Sequence, residues 1–162
     1  MRYAALLALL LVFAAAQTAS PAPTTVLTDL EGGVHRLGEW RGRWVLLKLG
    51  TTQCPNCAAQ MAEIAAVEDR FQALGVVVLD VYLRETPPAV TRYWAKKNFP
   101  FRPTVLCDTE GELVRWYAVS IIPHLVLLDP DGNSVWSGRF TEAPVLRHFT
   151  ARLAPVEPVP AR

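Results

Sequence analysis

The sequence predicts an α/β domain whose central sheet mixes parallel and antiparallel strands and carries helices on its faces. Three observations predict it. Apolar runs of strand length alternate with segments of helical period up to about residue 119, and the rest reads as a hairpin followed by a helix. One run, "RWVLLKLG", is apolar with almost no alternation, as expected for a central strand buried on both faces.

The chain has 162 residues and opens with Arg2 ahead of an apolar block, Ala4 to Ala16, followed by small polar residues and prolines. That is the pattern of a secretory signal. The block is shorter than the roughly 18 to 20 residues that span a bilayer, and Ala14 and Ala16 suit a cleavage site. The expected division is therefore a signal peptide over 1–16, a linker over 17–23, a domain over 24–154 and a flexible tail over 155–162. An uncleaved anchor is the alternative, because Pro21 and Pro23 would not keep the block out of a membrane. No cysteine follows the block where a lipoprotein would carry one, so a lipid anchor is not expected.

Within the domain, "VLTDLEGGVHRL" reads as two short strands about a turn at Glu31-Gly32-Gly33. After the buried strand, Met61, Ile64, Ala65, Val67, Phe71 and Leu74 recur at helical spacing, which predicts one helix from Pro55 to Leu74 closed by Gly75. "VVVLDVYL" is the next strand. "PPAVTRYWAKKNF" is a helix that starts at its prolines and runs to about Pro100. "PTVLCD" and "ELVRWYAV" give a further strand and helix. "HLVLLD", "PDGN" and "SVWSGRF" form a hairpin, and "APVLRHFTARLA" a closing amphipathic helix.

Hydrophobic residues make up 51% of the chain, too many for a disordered protein. Lys and Arg number 16 against 15 Asp and Glu, so without Arg2 the charges balance. There is no basic run. Lys96-Lys97 reads as a solvated helix face, and no nucleic-acid partner is expected. Tyr93, Trp94, Trp116 and Tyr117 fall at helix spacing and are expected in the core.

Three cysteines remain: Cys54, Cys57 and Cys107. A bridge between Cys54 and Cys57 closes so small a loop that it constrains the unfolded chain little, so the pair is a poor staple. It is well placed for redox chemistry, with a metal clip or an idle disulfide as the alternatives. The pair follows the buried strand and opens a helix, where open α/β sheets place their sites. A thiolate is the attacking species, and unpaired N–H groups at a helix N-terminus favour it. Pro55 at the first helical position sacrifices no needed donor. Cys54 is then the nucleophile, and Cys57, one turn along, resolves the mixed disulfide. Cys107, in "TVLCD", reads as a small core residue.

These residues resemble the thioredoxin superfamily, and within it the exported TlpA/ResA-type thiol-disulfide oxidoreductases, over roughly residues 24–154. The resemblance implies a thioredoxin-like three-layer fold with an N-terminal β-hairpin extension. It further implies that Pro123, 66 positions after Cys57, is a cis-proline that positions substrate beside the disulfide. Pro55 and Asn56 would tune the redox potential. It also implies reduction of exported thiol- or disulfide-containing proteins in cytochrome c or copper-centre maturation. A membrane thiol relay would then be the electron donor, and the protein a monomer with no cofactor beyond its own disulfide, in the periplasm or another extracytoplasmic space.

The sequence departs from the family at several places. Gly50, Thr51, Thr52 and Gln53 stand where aromatic residues usually precede the motif. Gln60 replaces a ResA-type active-site glutamate and cannot shuttle a proton. Lys48 stands where thioredoxins bury an aspartate; buried near the sulfurs, it would favour thiolate, although desolvation opposes its own charge. Alternatively it snorkels to the sheet edge. A second reading is a copper-binding chaperone using Cys54, Cys57 and His124, since soft sulfur ligands select Cu(I). A third, thiol peroxidase, rests on "TTQC", but Leu47 occupies the position of that family's proline. His35 and His148 are assigned nothing.

Overall fold

The computed structural model describes residues 23–99 and 101–153. The signal segment, most of the linker, Pro100 and the tail lie outside the described residues. The strands are β1 (Val26–Asp29), β2 (Val34–Arg36), β3 (Val45–Gly50), β4 (Val77–Leu83), β5 (Thr104–Asp108), β6 (His124–Leu128) and β7 (Ser134–Gly138). The helices are α1 (Pro55–Ala65), α2 (Glu68–Ala73), α3 (Pro87–Ala95), α4 (Glu112–Trp116) and α5 (Ala143–Thr150), with a 3₁₀ turn at Leu37–Trp40. One seven-stranded sheet runs in the order β2-β1-β5-β4-β3-β6-β7. β3, β4 and β5 are parallel; β6, β7, β1 and β2 add antiparallel edges. The predicted mixed sheet, with its N-terminal hairpin appended to the β5 edge, is what forms.

Strand alternation sorts the core into two faces. Leu47, Leu49, Leu79, Val81, Leu106 and Val126 pack with Leu113 of α4 on one side. Leu46, Val78 and Leu125 pack with Met61, Ile64, Phe71 and Leu146 on the other, which places α1, α2 and α5 there. Tyr82 and Cys107 continue that second face beneath Val90 of α3. β3 is buried at all six positions, as its unbroken apolar run requires.

Three expectations are corrected. The helix predicted over Pro55 to Leu74 is two, with Val67 (φ −125°, ψ 12°) capping the second. Met61, Ile64 and Val67 are three residues apart, so each step lags a 3.6-residue turn by about 60°. A straight helix would swing Val67 off the buried stripe; the break restores it to 0% exposure. α3 ends at Ala95, short of Pro100, and Phe99 folds back onto Trp94, with ring centroids 4.7 Å apart. Trp116, expected in the core, is 47% exposed, while Tyr93, Trp94 and Tyr117 are partly buried as expected.

Candidate functional site

The site lies where β3 ends. Its last residue, Gly50, is followed by a turn whose amide is held from outside: Thr52 N–H donates to both Glu85 carboxylate oxygens (3.2 and 3.1 Å), and Thr52 Oγ1 donates to one of them at 2.8 Å. Cys54 is the N-cap of α1, in extended backbone (φ −93°, ψ 107°), and Pro55 takes the first helical position. The Cys57 N–H donates both to the Cys54 carbonyl at 3.1 Å and to Cys54 Sγ at 3.0 Å. Cys54 and Cys57 are joined in a disulfide with Cα atoms 5.2 Å apart. Cys54 is partly exposed and Cys57 is 1% exposed. An incoming sulfur can therefore reach the first cysteine and not the second.

Beneath the disulfide the absence of a side chain at Gly50 matters. A Cβ there would meet Cys57 Sγ at 2.8 Å and Lys48 Nζ at 3.3 Å, so those two atoms are no more than about 6 Å apart. Lys48 does not snorkel: it is 1% exposed. Its ammonium makes a 2.7 Å salt bridge to Asp80 Oδ1, whose residue is 0% exposed, and lies 5.0 Å from the centre of the Tyr82 ring. Lys48 and Asp80 are register partners across β3 and β4, which aims both side chains to the α1 face. Asp80 offsets the ammonium, so the sulfurs do not face an uncompensated positive charge. Tyr82 titrates well above an ordinary phenol because it is buried and because Asp80 is beside it.

The Ile122–Pro123 peptide bond is cis, and Pro123 is buried directly before β6. Beside it a cavity of about 280 Å³ is lined by Thr51, Leu83, Val114, Val119 and Ile122. Ile121, next in the chain, is 45% exposed. His124 pairs with Leu49 in the β3–β6 register, which sends its side chain to the face opposite Gly50 and Lys48. Burial and Arg139 hold its imidazole towards the neutral form, and its Nε2 is buried with no hydrogen bond. The structure thus does not bring His124 to the two sulfurs. Among the described residues no group of three His, Cys, Asp or Glu side chains is arranged to hold a metal ion. The residues of the copper reading do not fit a common site.

Gln60, 0% exposed, spends its amide on Thr141: its Nε2 donates to the Thr141 carbonyl (2.9 Å) and its Oε1 accepts from the Thr141 N–H (2.7 Å). It ties α1 to the segment before α5. Pro55 and Asn56 are exposed at the mouth. Cys107 is 1% exposed, packed with Tyr82 and Val90, and burial pushes its thiol up to about 11. Sequence reasoning missed Glu85, Asp80 and Tyr82. A charged Lys48 within an apolar strand called for a buried counter-charge, and Asp80, inside the neighbouring strand, could have been found on that ground.

The AhpC/TSA family model matches residues 18–136. The chain is 29% identical over 132 residues to thiol-disulfide oxidoreductase ResA of Geobacillus kaustophilus, covering 80% of this chain and 75% of that protein. It is 30% identical over 128 residues to ResA of Bacillus subtilis, covering 76% and 69%. Among solved structures, a putative thiol:disulfide interchange protein DsbE from Chlorobium tepidum superposes with a TM-score of 0.72 at 24% identity, covering 84% of this chain and 97% of that one. A partly exposed N-cap sulfur, a buried second sulfur one turn along and a cis-proline loop occupy the region these relatives share. The chain belongs to the AhpC/TSA family and is a thiol-disulfide oxidoreductase of the ResA type.

Proposed function

We propose that the protein acts outside the cytoplasm as a reductant of disulfides in exported partner proteins, in the maturation of cytochrome c or of copper centres. The observation that carries the reading is the unequal exposure of the two sulfurs. Cys54, the N-cap of α1 with the Cys57 N–H on its sulfur, can attack; Cys57, 1% exposed, is reached only from within the protein. Cys54 thiolate attacks a partner disulfide and one partner sulfur leaves with the bond's electron pair. Cys57 then attacks Cys54, the protein's own disulfide closes, and the second partner sulfur leaves reduced. Pro123 and the adjoining Ile121–Ile122 segment position the partner chain beside Cys54. Asn56 and Pro55 bear on the potential from the mouth of the site.

The direction is supported by the Lys48–Asp80 pair. A strong oxidant stabilises its reduced thiolate, and here the ammonium of Lys48 beneath Cys57 is neutralised by a 2.7 Å carboxylate contact. Turnover as a reductant needs a donor, for which a membrane thiol relay is the fitting class. Export rests on the N-terminal pattern from Arg2 to Ala16. Both cysteines come from one chain, so a monomer suffices.

The test uses an oxidised peptide carrying Cys-x-x-Cys-His, the c-type haem attachment motif. The reduced protein should convert it to the dithiol while its own Cys54–Cys57 disulfide forms, and Cys57→Ser should arrest the reaction as a covalent adduct through Cys54. Absence of both reduction and adduct would overturn the reading.

A further inference from the structure

The cavity beside Ile122 carries a charged group that the disulfide chemistry does not use. It opens within one turn of Cys54, whose N–H donates to the carbonyl of the lining residue Thr51 at 3.4 Å. Its walls at Leu83, Val114, Val119 and Ile122 are apolar, and Arg84 stands beside them. At about 280 Å³ it falls just short of the roughly 300 Å³ at which small-molecule pockets begin, so it suits one side chain better than a cofactor. Arg84 is held in place. Its backbone is left-handed (φ 56°), which a long side chain adopts only where its surroundings impose it. Its N–H donates to the Asp108 carbonyl at 2.7 Å, and its stem lies across Gly111, where a Cβ would meet Arg84 Nε at 2.7 Å and Cγ at 2.8 Å. Only a bare Cα leaves that room. Yet the guanidinium of this exposed residue makes no hydrogen bond or ion pair among the described residues. The neighbouring carboxylates are committed elsewhere: Glu85 accepts from Thr52, and Asp108 accepts from the N–H groups of Glu112 and Leu113.

We propose that Arg84 makes the protein selective for acidic partner segments: an apolar side chain of the partner enters the cavity, and Arg84 binds a carboxylate on the same face of the partner chain. In an extended segment alternate side chains share a face and stand about 6.6 Å apart. A cysteine, an aliphatic residue and an acidic residue at every second position therefore present themselves in turn to Cys54, the cavity and Arg84. Charge complementarity chooses the acid. A guanidinium with no partner is free to form the bidentate pair that carboxylates favour, and it repels a lysine at the same place. With its backbone and stem already fixed, Arg84 loses little further freedom on binding. The inference rests on Cys54 as the sulfur that attacks partner disulfides, and it adds which partners are attacked fastest. Arg84 is a specificity-determining residue in this scheme and takes no part in the exchange between sulfurs.

The test reacts the reduced full chain with short peptides whose single cysteine is a mixed disulfide with a chromogenic aryl thiol. Cys54 thiolate attacks the peptide sulfur, the new disulfide joins peptide to Cys54, and the aryl thiolate leaves with the electron pair of the broken bond, so colour reports the attack. Each peptide carries Leu or Ser two positions from the cysteine and Glu, Gln or Lys two positions further. One series runs towards the peptide's N-terminus and a second towards its C-terminus. In at least one series the wild type should take Glu over Gln by about fivefold, with Lys slowest, and Leu over Ser by about tenfold. Arg84→Glu should reverse the order to Lys over Glu. Because each ratio is taken within one protein, a general loss of activity in the variant cancels. Equal rates for Glu, Gln and Lys in both series, or an order that Arg84→Glu leaves unchanged, would overturn the role of Arg84; equal rates for Leu and Ser would overturn that of the cavity. Should Arg84→Glu fail to fold, salt decides with the wild type: a Glu preference that fades between low salt and about 1 M supports the pairing, and one that salt leaves untouched overturns it. Failure of the wild type to release colour from any peptide would overturn the attacking assignment of Cys54, and the selectivity with it.

Discussion

Gly50→Ala probes the contact on which the site's interior depends. The added Cβ would lie 2.8 Å from Cys57 Sγ, 3.1 Å from Cys57 Cβ and 3.3 Å from Lys48 Nζ. Ordinary carbon contacts sit at about 3.5–4.0 Å, so β3 and the start of α1 must separate by several tenths of an ångström. The Lys48 head can rotate away, but Cys57 is held by its disulfide and by the helix. Overpacking of this kind costs about 1–3 kcal/mol. For a domain of this size that lowers Tm by roughly 4 to 12 °C. Thermal unfolding of the oxidised protein, followed by circular dichroism, measures it. In a Cys57→Ala background, where the sulfur is gone and only the Cβ contact remains, most of the penalty should disappear, a coupling that a double-mutant cycle reads directly. A Gly50→Ala protein as stable as wild type would refute the close approach of β3 to Cys57, and with it the placing of Lys48 beside the sulfur.

Three further outcomes are expected. Lys48→Met alone should destabilise the protein by about 3–5 kcal/mol because it strands Asp80, whereas Lys48→Met with Asp80→Leu should cost less than either single change; denaturant unfolding checks both. Glu85→Ala removes the acceptor of two Thr52 donors, so hydrogen exchange at the Thr52 amide should quicken and attack by Cys54 should slow, with little effect on global stability. His35 bonds Asp29 (2.9 Å) through one ring nitrogen and Glu39 (3.0 Å) through the other, and those contacts raise its ionisation above the ordinary value. A raised histidine contributes stability that is complete below the unfolded value of about 6.5 and is lost as pH rises through the folded value. Asp29 and Glu39 are lowered chiefly by His35, so their share is present above the ordinary carboxylate range and lost as pH falls through their folded values. The wild type minus His35→Gln difference in denaturation midpoint should therefore be largest between about pH 5 and 6.5 and shrink above it. That difference cancels His124, whose lowered ionisation acts with the opposite sign.

Much of the architecture could be read from the chain because the signals were local. β3 betrays its double burial by its composition, and Pro55, Pro87 and Pro144 each open a helix at its first turn. The cysteine pair and Pro123 are likewise local patterns. What could not be read depends on contacts between distant segments. Gln60 stood out for what it could not do, but its clasp on Thr141 spans 81 positions. The break at Val67 answers a phase error in the apolar stripe, which a count of helical matches does not register. Lys48 admitted either a buried head or an exposed one; only the pairing of β3 with β4 brings Asp80 opposite and decides it. His124 is close to Pro123 in sequence, yet strand alternation turns it to the wrong face for a shared metal.

The most direct test of the account is the equilibrium reduction potential of the Cys54–Cys57 couple, measured by dithiothreitol or glutathione titration of the purified domain with metals excluded. A reductant whose nearby ammonium is neutralised by Asp80 should give a value near or below about −250 mV. A value near −120 mV would make the protein a donor of disulfides and contradict the proposed direction of electron flow.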